Sequence, residues 1–567
     1  MHLHGLRQQK LRQNNNIFSI LYDQPDGLVI FKYRILILIQ ITFLSKIEIM
    51  KKTNKKKSEI TIENVFKEKF ALIYTGFIIV VFSLFYQDAF FNIAQAKRGI
   101  YIWSTAVFAV LMLMLSMYSA ISCIKNHEKN KHDIIDFLML MLIVSWGIGM
   151  FFAINPKESF LGEYNKCTGL IMYVTGIVVM YYISKYLHWK VELVWSILFA
   201  TTVVYILQIL NRFNIDPLGM YNEIADDQRR AYLSTLGHGN YNAAYNCLTI
   251  VIIMVFFYLC REKISKIVYG ILLFTGFAGS ISCCADSVYL GIGVAFVVLL
   301  GYSFAHMDKW WNFYIELAIF WAAQLSIALI NKIFPDKATG FWGISESMID
   351  FKLIGEELIV LVLILGLVKF LYTKLSKNAQ LVSKIYTIAV VAVVVLGILM
   401  MVIVNITGID SGVLGGLYID DDWGSSRGSI WKTIVSLLKA SSIGHLLFGY
   451  GHNMVKDALI MVLGTDTNNV GEAIADAHNV FLNSLVTSGI VGTVIFTSII
   501  VLILYRGFKL LKENERGLFV VIGLLAYVAQ GMINGPQSIT TPVFLIELGI
   551  FWNLVRTETI GDKNSEK

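Results

Sequence analysis

Residues 385–406 read IYTIAVVAVVVLGILMMVIVNI, an apolar run closed on its amino-terminal side by Lys374, Lys377 and Lys384. A helix needs about 20 apolar residues to cross the hydrocarbon core of a bilayer, so this stretch predicts a spanning helix. Comparable runs recur through the chain near 70–86, 100–123, 135–153, 169–187, 191–210, 241–260, 267–284, 287–304, 312–330, 356–372, 480–505, 518–534 and 540–556. Together they make fourteen, and 267–304 also reads as a hairpin of two short spans. The expected fold is all-α: a polytopic transmembrane bundle of about 12–14 helices.

Composition supports this reading. Of 567 residues, 56% are hydrophobic and 15% charged, and mean hydropathy is +0.64. A soluble surface needs roughly 25% charged residues, which excludes a soluble enzyme, a disordered scaffold, a nucleic-acid-binding protein and a secreted disulfide module. The net charge of +7 is gathered in short clusters between apolar runs, as on the cytoplasmic side of membrane proteins. Lys51, Lys52, Lys55, Lys56 and Lys57 precede the first run. Every second loop afterwards is basic, for example Lys125, Lys129 and Lys131, or Arg506, Lys509, Lys512 and Arg516. The intervening loops, notably 211–240, 331–355 and 407–479, are longer or mixed in sign. This alternation places both termini in the cytoplasm of a multi-pass plasma-membrane protein and puts those loops outside.

The expected organisation is a cytoplasmic segment 1–69, an integral domain 70–556 with a major outer loop 407–479, and a cytoplasmic tail 557–567. The run 28–44 is interrupted by Lys32 and Arg34, and Met50 opens a conventional Lys-rich start. Translation from Met50, leaving 1–49 untranslated, is the expectation. The six cysteines show no metal spacing and read as small thiols in helix packing.

Chemistry-bearing residues collect on the outer loops. Glu316 and Glu547 are the main carboxylates within spans, each read as a functional group or as a carboxyl hydrogen-bonded to a neighbouring helix. In the 407–479 loop, Asp420-Asp421-Asp422 reads as a solvated turn or a divalent-cation site. Arg427 then opens a segment in which Ile430, Trp431, Ile434, Val435, Leu437 and Leu438 recur at helical spacing. That pattern predicts an interfacial helix, apolar side down. Arg427 at its start could grip a lipid pyrophosphate with paired hydrogen bonds or anchor the helix to ordinary lipid phosphates. The loop ends in Asp476-Ala477-His478-Asn479. His478, at the mouth of the next span, reads as a general base or as an ordinary interfacial side chain.

His478-Asn479, nine residues, then Gly489-Ile490-Val491-Gly492 resembles the signature of the O-antigen ligase and O-antigen polymerase superfamily. Asn155-Pro156 through Gly162 and Gly169-Leu170, Arg230 through Thr235-Leu236-Gly237 and Asn240-Tyr241, and Ser426-Arg427-Gly428-Ser429-Ile430-Trp431 leading to Phe448-Gly449-Tyr450-Gly451 resemble further family segments in the family's order. The resemblance implies a membrane glycosyltransferase that transfers an undecaprenyl-diphosphate-linked glycan to an acceptor hydroxyl at the outer leaflet, with no cofactor and no metal. By analogy His478 takes the acceptor proton, Arg427 and Arg230 hold the leaving diphosphate, and Lys166, Asn240 and Asn479 bind substrate. The implied partners are the lipid-linked oligosaccharide donor, a glycan or lipid-glycan acceptor, membrane lipids and the polysaccharide export machinery. This sequence departs from the pattern at Lys166, where the family commonly has Arg, at His238-Gly239 in place of Asn-Pro, and at Ala285-Asp286-Ser287 in place of Ser-Arg-Gly. Polymerase and ligase share these motifs, so both remain open. A lipid-linked-oligosaccharide flippase and a non-catalytic assembly factor are the alternatives from other classes.

Overall fold

The computed structural model describes residues 58–567 apart from 127–132, 165, 223, 376–377, 409–414, 470, 472 and 566–567. The expectations for Met50 and the 28–44 run lie outside the described residues. The chain divides into two units, Met1–Val65 and Phe66–Lys567, and apart from residues 58–65 everything below concerns the second.

Each of the fourteen apolar runs becomes a helix. α1 (Ser58–Phe77) continues through a π-helical turn, Ile78–Phe82; α2 (Ile93–Asn126) and α3 (Ile134–Gly149) follow. After a short α4 (Pro156–Leu161) come α5 (Leu170–Tyr186) and α6 (Val191–Arg212). A minimal hairpin, β1 (Tyr232–Leu233) and β2 (Gly237–His238), leads into α7 (Gly239–Leu259), α8 (Lys263–Ser282), α9 (Ser287–Ala305) and α10 (Trp310–Ile333). The short α11 (Ile344–Met348) precedes α12 (Phe351–Leu375) and α13 (Ala379–Thr407). The 407–479 loop holds α14 (Trp423–Ala440), α15 (Ile443–Phe448) and α16 (Val455–Leu463). α17 (Val480–Leu511), α18 (Gly517–Gly531) and α19 (Thr541–Ser565) complete the bundle. Eight of the described helices are long and apolar enough to cross a membrane, joined by three shorter apolar ones. The stretch 267–304 forms two separate helices rather than one short hairpin.

Burial ranks the helices by position. In α7 89% of the apolar window is covered by protein, and in α13 only 6%. The apolar side chains of α13, such as Val393, Leu396 and Ile403, stand exposed. Bare leucine and valine on an outer helix suit a lipid solvent, where the hydrophobic effect does not drive helices together.

The loops also sort into two sets. Segments between alternate helices, which the charge pattern expects on one side, contact one another. Asp133 Oδ1 accepts from Arg506 at 2.8 Å, Lys309 pairs with Glu515 at 3.3 Å, and Arg556 pairs with Asp136 at 2.9 Å. The other set, around 162–169, 232–240, 420–479 and 532–540, meets at the candidate site.

One expectation changes. α14 forms where the spacing placed it, but its apolar stripe does not lie on lipid. Ile430, Ile434 and Leu437 are buried against Tyr450, Met454, Leu459 and Ile474, making a second small core within the loop. The same periodicity that suits a membrane surface is satisfied by α16 and the chain leading to it.

Candidate functional site

Asp476-Ala477-His478-Asn479 closes the 407–479 loop and leads into α17. Asn479 starts α17 as its N-cap, its Oδ1 accepting from Phe481 N at 2.9 Å and Leu482 N at 3.0 Å. This satisfies donors that the first helical turn leaves free. Its Nδ2 donates to Met532 O at 2.8 Å, fixing the end of α18. The side chain singled out as a substrate ligand is therefore occupied in shaping the site. Just before it, His478 adopts φ 44°, a left-handed conformation uncommon outside glycine. Asp476 holds that turn: its Oδ1 accepts from His478 N at 2.7 Å and lies 3.8 Å from His478 Nδ1.

The other oxygen of Asp476 meets Lys166 Nζ at 3.0 Å. Burial would raise the Asp476 carboxyl, but the Lys166 ammonium, His478 and the His478 amide together hold it below the usual carboxylate range. The carboxylate in turn raises Lys166. Lys166 and His478, 312 residues apart in sequence by their numbers, thus share one buried carboxylate. Lys166→Met would strand that charge, and breaking one side of a buried pair costs about 3 kcal/mol. We expect a lowered thermal unfolding midpoint for the purified chain in nanodiscs, partly restored by adding Asp476→Asn.

Arg427 reaches the same place from the other side. Gly424, Ser425 and Ser426 all have left-handed backbone (φ 61°, 58° and 65°), turning the chain sharply before α14 proper begins. The half-buried guanidinium donates from Nε to Ile533 O at 2.7 Å and from Nη2 to Asn534 Oδ1 at 3.4 Å. Burial lowers its pKa, opposed by the charges of Asp286 and Asp476. The turn 532–535 is thus gripped by both Asn479 and Arg427. A Cβ on Gly535 would stand 2.4 Å from Asp476 Oδ1, so only glycine lets this turn come so close.

A third element is the β-hairpin turn before α7. The buried Asn242 gathers it, Nδ2 donating to Gly237 O at 2.8 Å and to Leu233 O and His238 O at 3.1 Å. His238 faces the cluster: desolvation first, then the charges of Lys166 and His478, hold its pKa at about 4. Its Nδ1 accepts from Asn240 N at 3.2 Å.

The predicted residues therefore divide. Lys166 and His478 meet at Asp476, Arg427 holds the 532–535 turn that abuts it, and Asn479 frames them. Asn240 contributes its backbone to the neighbouring turn. The Arg230 side chain is exposed, and among the described residues no hydrogen bond or ion pair joins its guanidinium to the cluster. The carbonyl of Arg230 accepts from the fully buried Arg212 at 3.1 Å, which also donates to Ser282 O at 2.7 Å and Gly340 O at 3.1 Å. Arg212 was not anticipated, because an arginine at a helix end reads as an ordinary boundary cation. Asp286, which replaces the expected cation, accepts from Ile344 N at 2.9 Å and seats α11. Asp421 of the acidic triplet pairs with Lys432 at 2.8 Å. Glu316, with both carboxyl oxygens, and Glu547, with Oε2, present buried oxygens lacking hydrogen-bond partners, so the expected bonds to neighbouring helices are not made there.

This arrangement, a histidine and two cations around one buried carboxylate at the loop end of an apolar helical bundle, defines a multi-pass membrane protein with a charged site at its loop face. Residues 357–497 match the family model described as O-antigen ligase (Wzy_C). Over that segment the chain is similar to the O-antigen ligase and polymerase superfamily, which supports a polysaccharide-related glycosyl-transfer function in general. The matched segment contains Arg427, Asp476 and His478, while Lys166, Asn240 and Arg230 lie outside it. No curated protein matches the chain.

Proposed function

We propose that the chain transfers a glycan from undecaprenyl diphosphate to an acceptor hydroxyl at the outer face of the plasma membrane, building a bacterial surface polysaccharide. The observation that carries this reading is that His478 and Lys166 share the buried Asp476 carboxylate, while Arg427 holds the turn 532–535 beside it. The acceptor oxygen attacks the anomeric carbon of the donor, and the bond from that carbon to the diphosphate oxygen breaks. His478 takes the acceptor proton. The electron pair leaves on the diphosphate, where Arg427 and Lys166 offset the growing negative charge. Lys166 acts as a point charge, without the planar fork of arginine. Asp476 orients His478, accepting from its backbone amide and lying 3.8 Å from its Nδ1. Arg230, exposed nearby, is the candidate for meeting the diphosphate as it arrives.

The test is reconstitution of the full chain in vesicles with an undecaprenyl-diphosphate-linked oligosaccharide and no nucleotide sugar. Release of undecaprenyl diphosphate together with a longer saccharide supports transfer, and the size ladder separates a polymerase from a ligase. Movement of the intact lipid-linked donor between leaflets, with no bond broken, would instead make the chain a flippase.

A further inference from the structure

Below the Asp476 cluster lies a recess with about 40 Å³ of space, lined on one side by Asn483, Thr487 and Ser488 of α17 and on the other by Trp146, Tyr173 and His452. Its place is fixed by Val480, two residues beyond His478, and by Pro536, next to the glycine that abuts Asp476; both are in its wall. Trp146 and His452 are each 6% exposed. Trp146 Nε1 and His452 Nε2 are each buried with no hydrogen-bond partner. Burying such groups without a partner is unfavourable, and two bordering one recess point to something that fills it. Burial holds the His452 pKa near 3, so the ring is neutral and offers no charge. No Lys, Arg, Asp or Glu lines the recess among the described residues.

We infer that this recess is a subsite for an uncharged sugar residue of the glycan, admitted edge first. Three features carry it: an orphan nitrogen on each of two lining residues, which suits a hydroxyl, hydroxyl and amide side chains along α17, and aromatic rings. The His452 ring stands 4.7 Å from Tyr173 and 5.2 Å from Trp146, centroid to centroid. Aromatic rings suit the C–H faces of a pyranose and the polar atoms its hydroxyls. A space of this size takes about three water molecules, or the hydroxylated edge of one hexose. A carboxylated sugar would enter without a counter-charge, which disfavours it. The ligand class rests on the glycosyl-transfer reading, but the subsite is tested by binding alone.

The experiment uses the full chain in nanodiscs and saturation-transfer NMR with a panel of neutral methyl hexosides and the matching methyl uronides. We expect at least one hexoside to bind and the uronides not to. His452→Phe keeps the ring contacts and removes the orphan nitrogen, so it should leave the unfolding midpoint unchanged or raised while weakening hexoside binding about tenfold. Thr487→Val, which removes a hydroxyl at constant shape, should weaken it in the same direction if the histidine variant fails to fold. Absence of hexoside binding, equal binding of uronides, or binding indifferent to both variants overturns the subsite and shows the recess to hold water only. Intact hexoside binding without transfer in reconstituted vesicles leaves the subsite standing and removes the transferase reading.

Discussion

Replacing His478 with asparagine should lower glycan transfer by about 10²- to 10⁴-fold, the range that removal of a positioned general base produces. Asparagine is the informative choice because residue 478 has φ 44°, a conformation asparagine tolerates better than most residues. The Asp476 carboxylate can still accept from the backbone amide of residue 478, as it does at 2.7 Å, so the Lys166 pair and the turn survive. What disappears is the imidazole. Cells carrying this variant at normal protein levels should accumulate undecaprenyl-linked glycan on the outer leaflet: single repeat units for a polymerase, long chains for a ligase. Accumulation on the inner leaflet would point to a flippase. An unchanged lipid-linked pool with normal surface glycan would remove His478 from the mechanism.

The site rests on partners that are far apart in the chain, and this decides how much of it sequence could reveal. Apolar runs and the alternation of basic loops are local properties, and all fourteen runs became helices, the first starting at Ser58 and the last continuing to Ser565, well outside the runs 70–86 and 540–556. His478 and Arg427 were legible because their motifs are short and contiguous. Asp476 stood in plain sight two residues before His478, yet nothing local shows that Lys166 binds its other oxygen. The turn 532–535 was invisible for the same reason: Ile533-Asn534-Gly535 reads as the frayed end of a span until Arg427 and Asn479 are seen to hold it. α14 shows the converse limit. Periodicity established that one face was apolar, but identical periodicity serves lipid or protein, and only the positions of Tyr450 and Met454 decide between them. Arg212 and Asn242 are buried polar residues that collect carbonyls from outside their own helices, and a carbonyl leaves no mark in a sequence.

Gly489→Ala and Gly449→Ala should each destabilise the chain by about 3 kcal/mol or more and abolish transfer without touching a charged residue. α17 is broken at Gly489, with φ 66° and ψ −174°, and Gly449 has φ 81° and ψ 179°. Both pairs of angles fall in a region open essentially to glycine alone. The two glycines also clasp each other's neighbours. A Cβ on Gly489 would lie 2.3 Å from the carbonyl carbon of Leu447, and one on Gly449 would lie 2.4 Å from the backbone of Thr487. Around this clasp Tyr450 N donates to Val486 O at 2.8 Å and Gly451 N to Thr487 O at 3.2 Å. Residues 447–451 therefore take up backbone groups released by the break, which is how the Gly-Tyr-Gly and Gly-x-x-Gly segments come to serve one purpose. The first half of α17, with His478 at its head, hangs from this junction. A shift of the clasp moves His478 relative to Lys166 and Arg427, and a 1 Å misplacement is enough to cost transfer on the order of 10²-fold. Gly397→Ala is the control: it lies within α13 with nothing within 4 Å of its would-be Cβ, and alanine there should hold or raise stability by up to about 1 kcal/mol. Thermal unfolding in nanodiscs, read beside transfer in vesicles, distinguishes the cases. If Gly489→Ala unfolds at the wild-type midpoint and transfers normally, the break in α17 is not what positions His478.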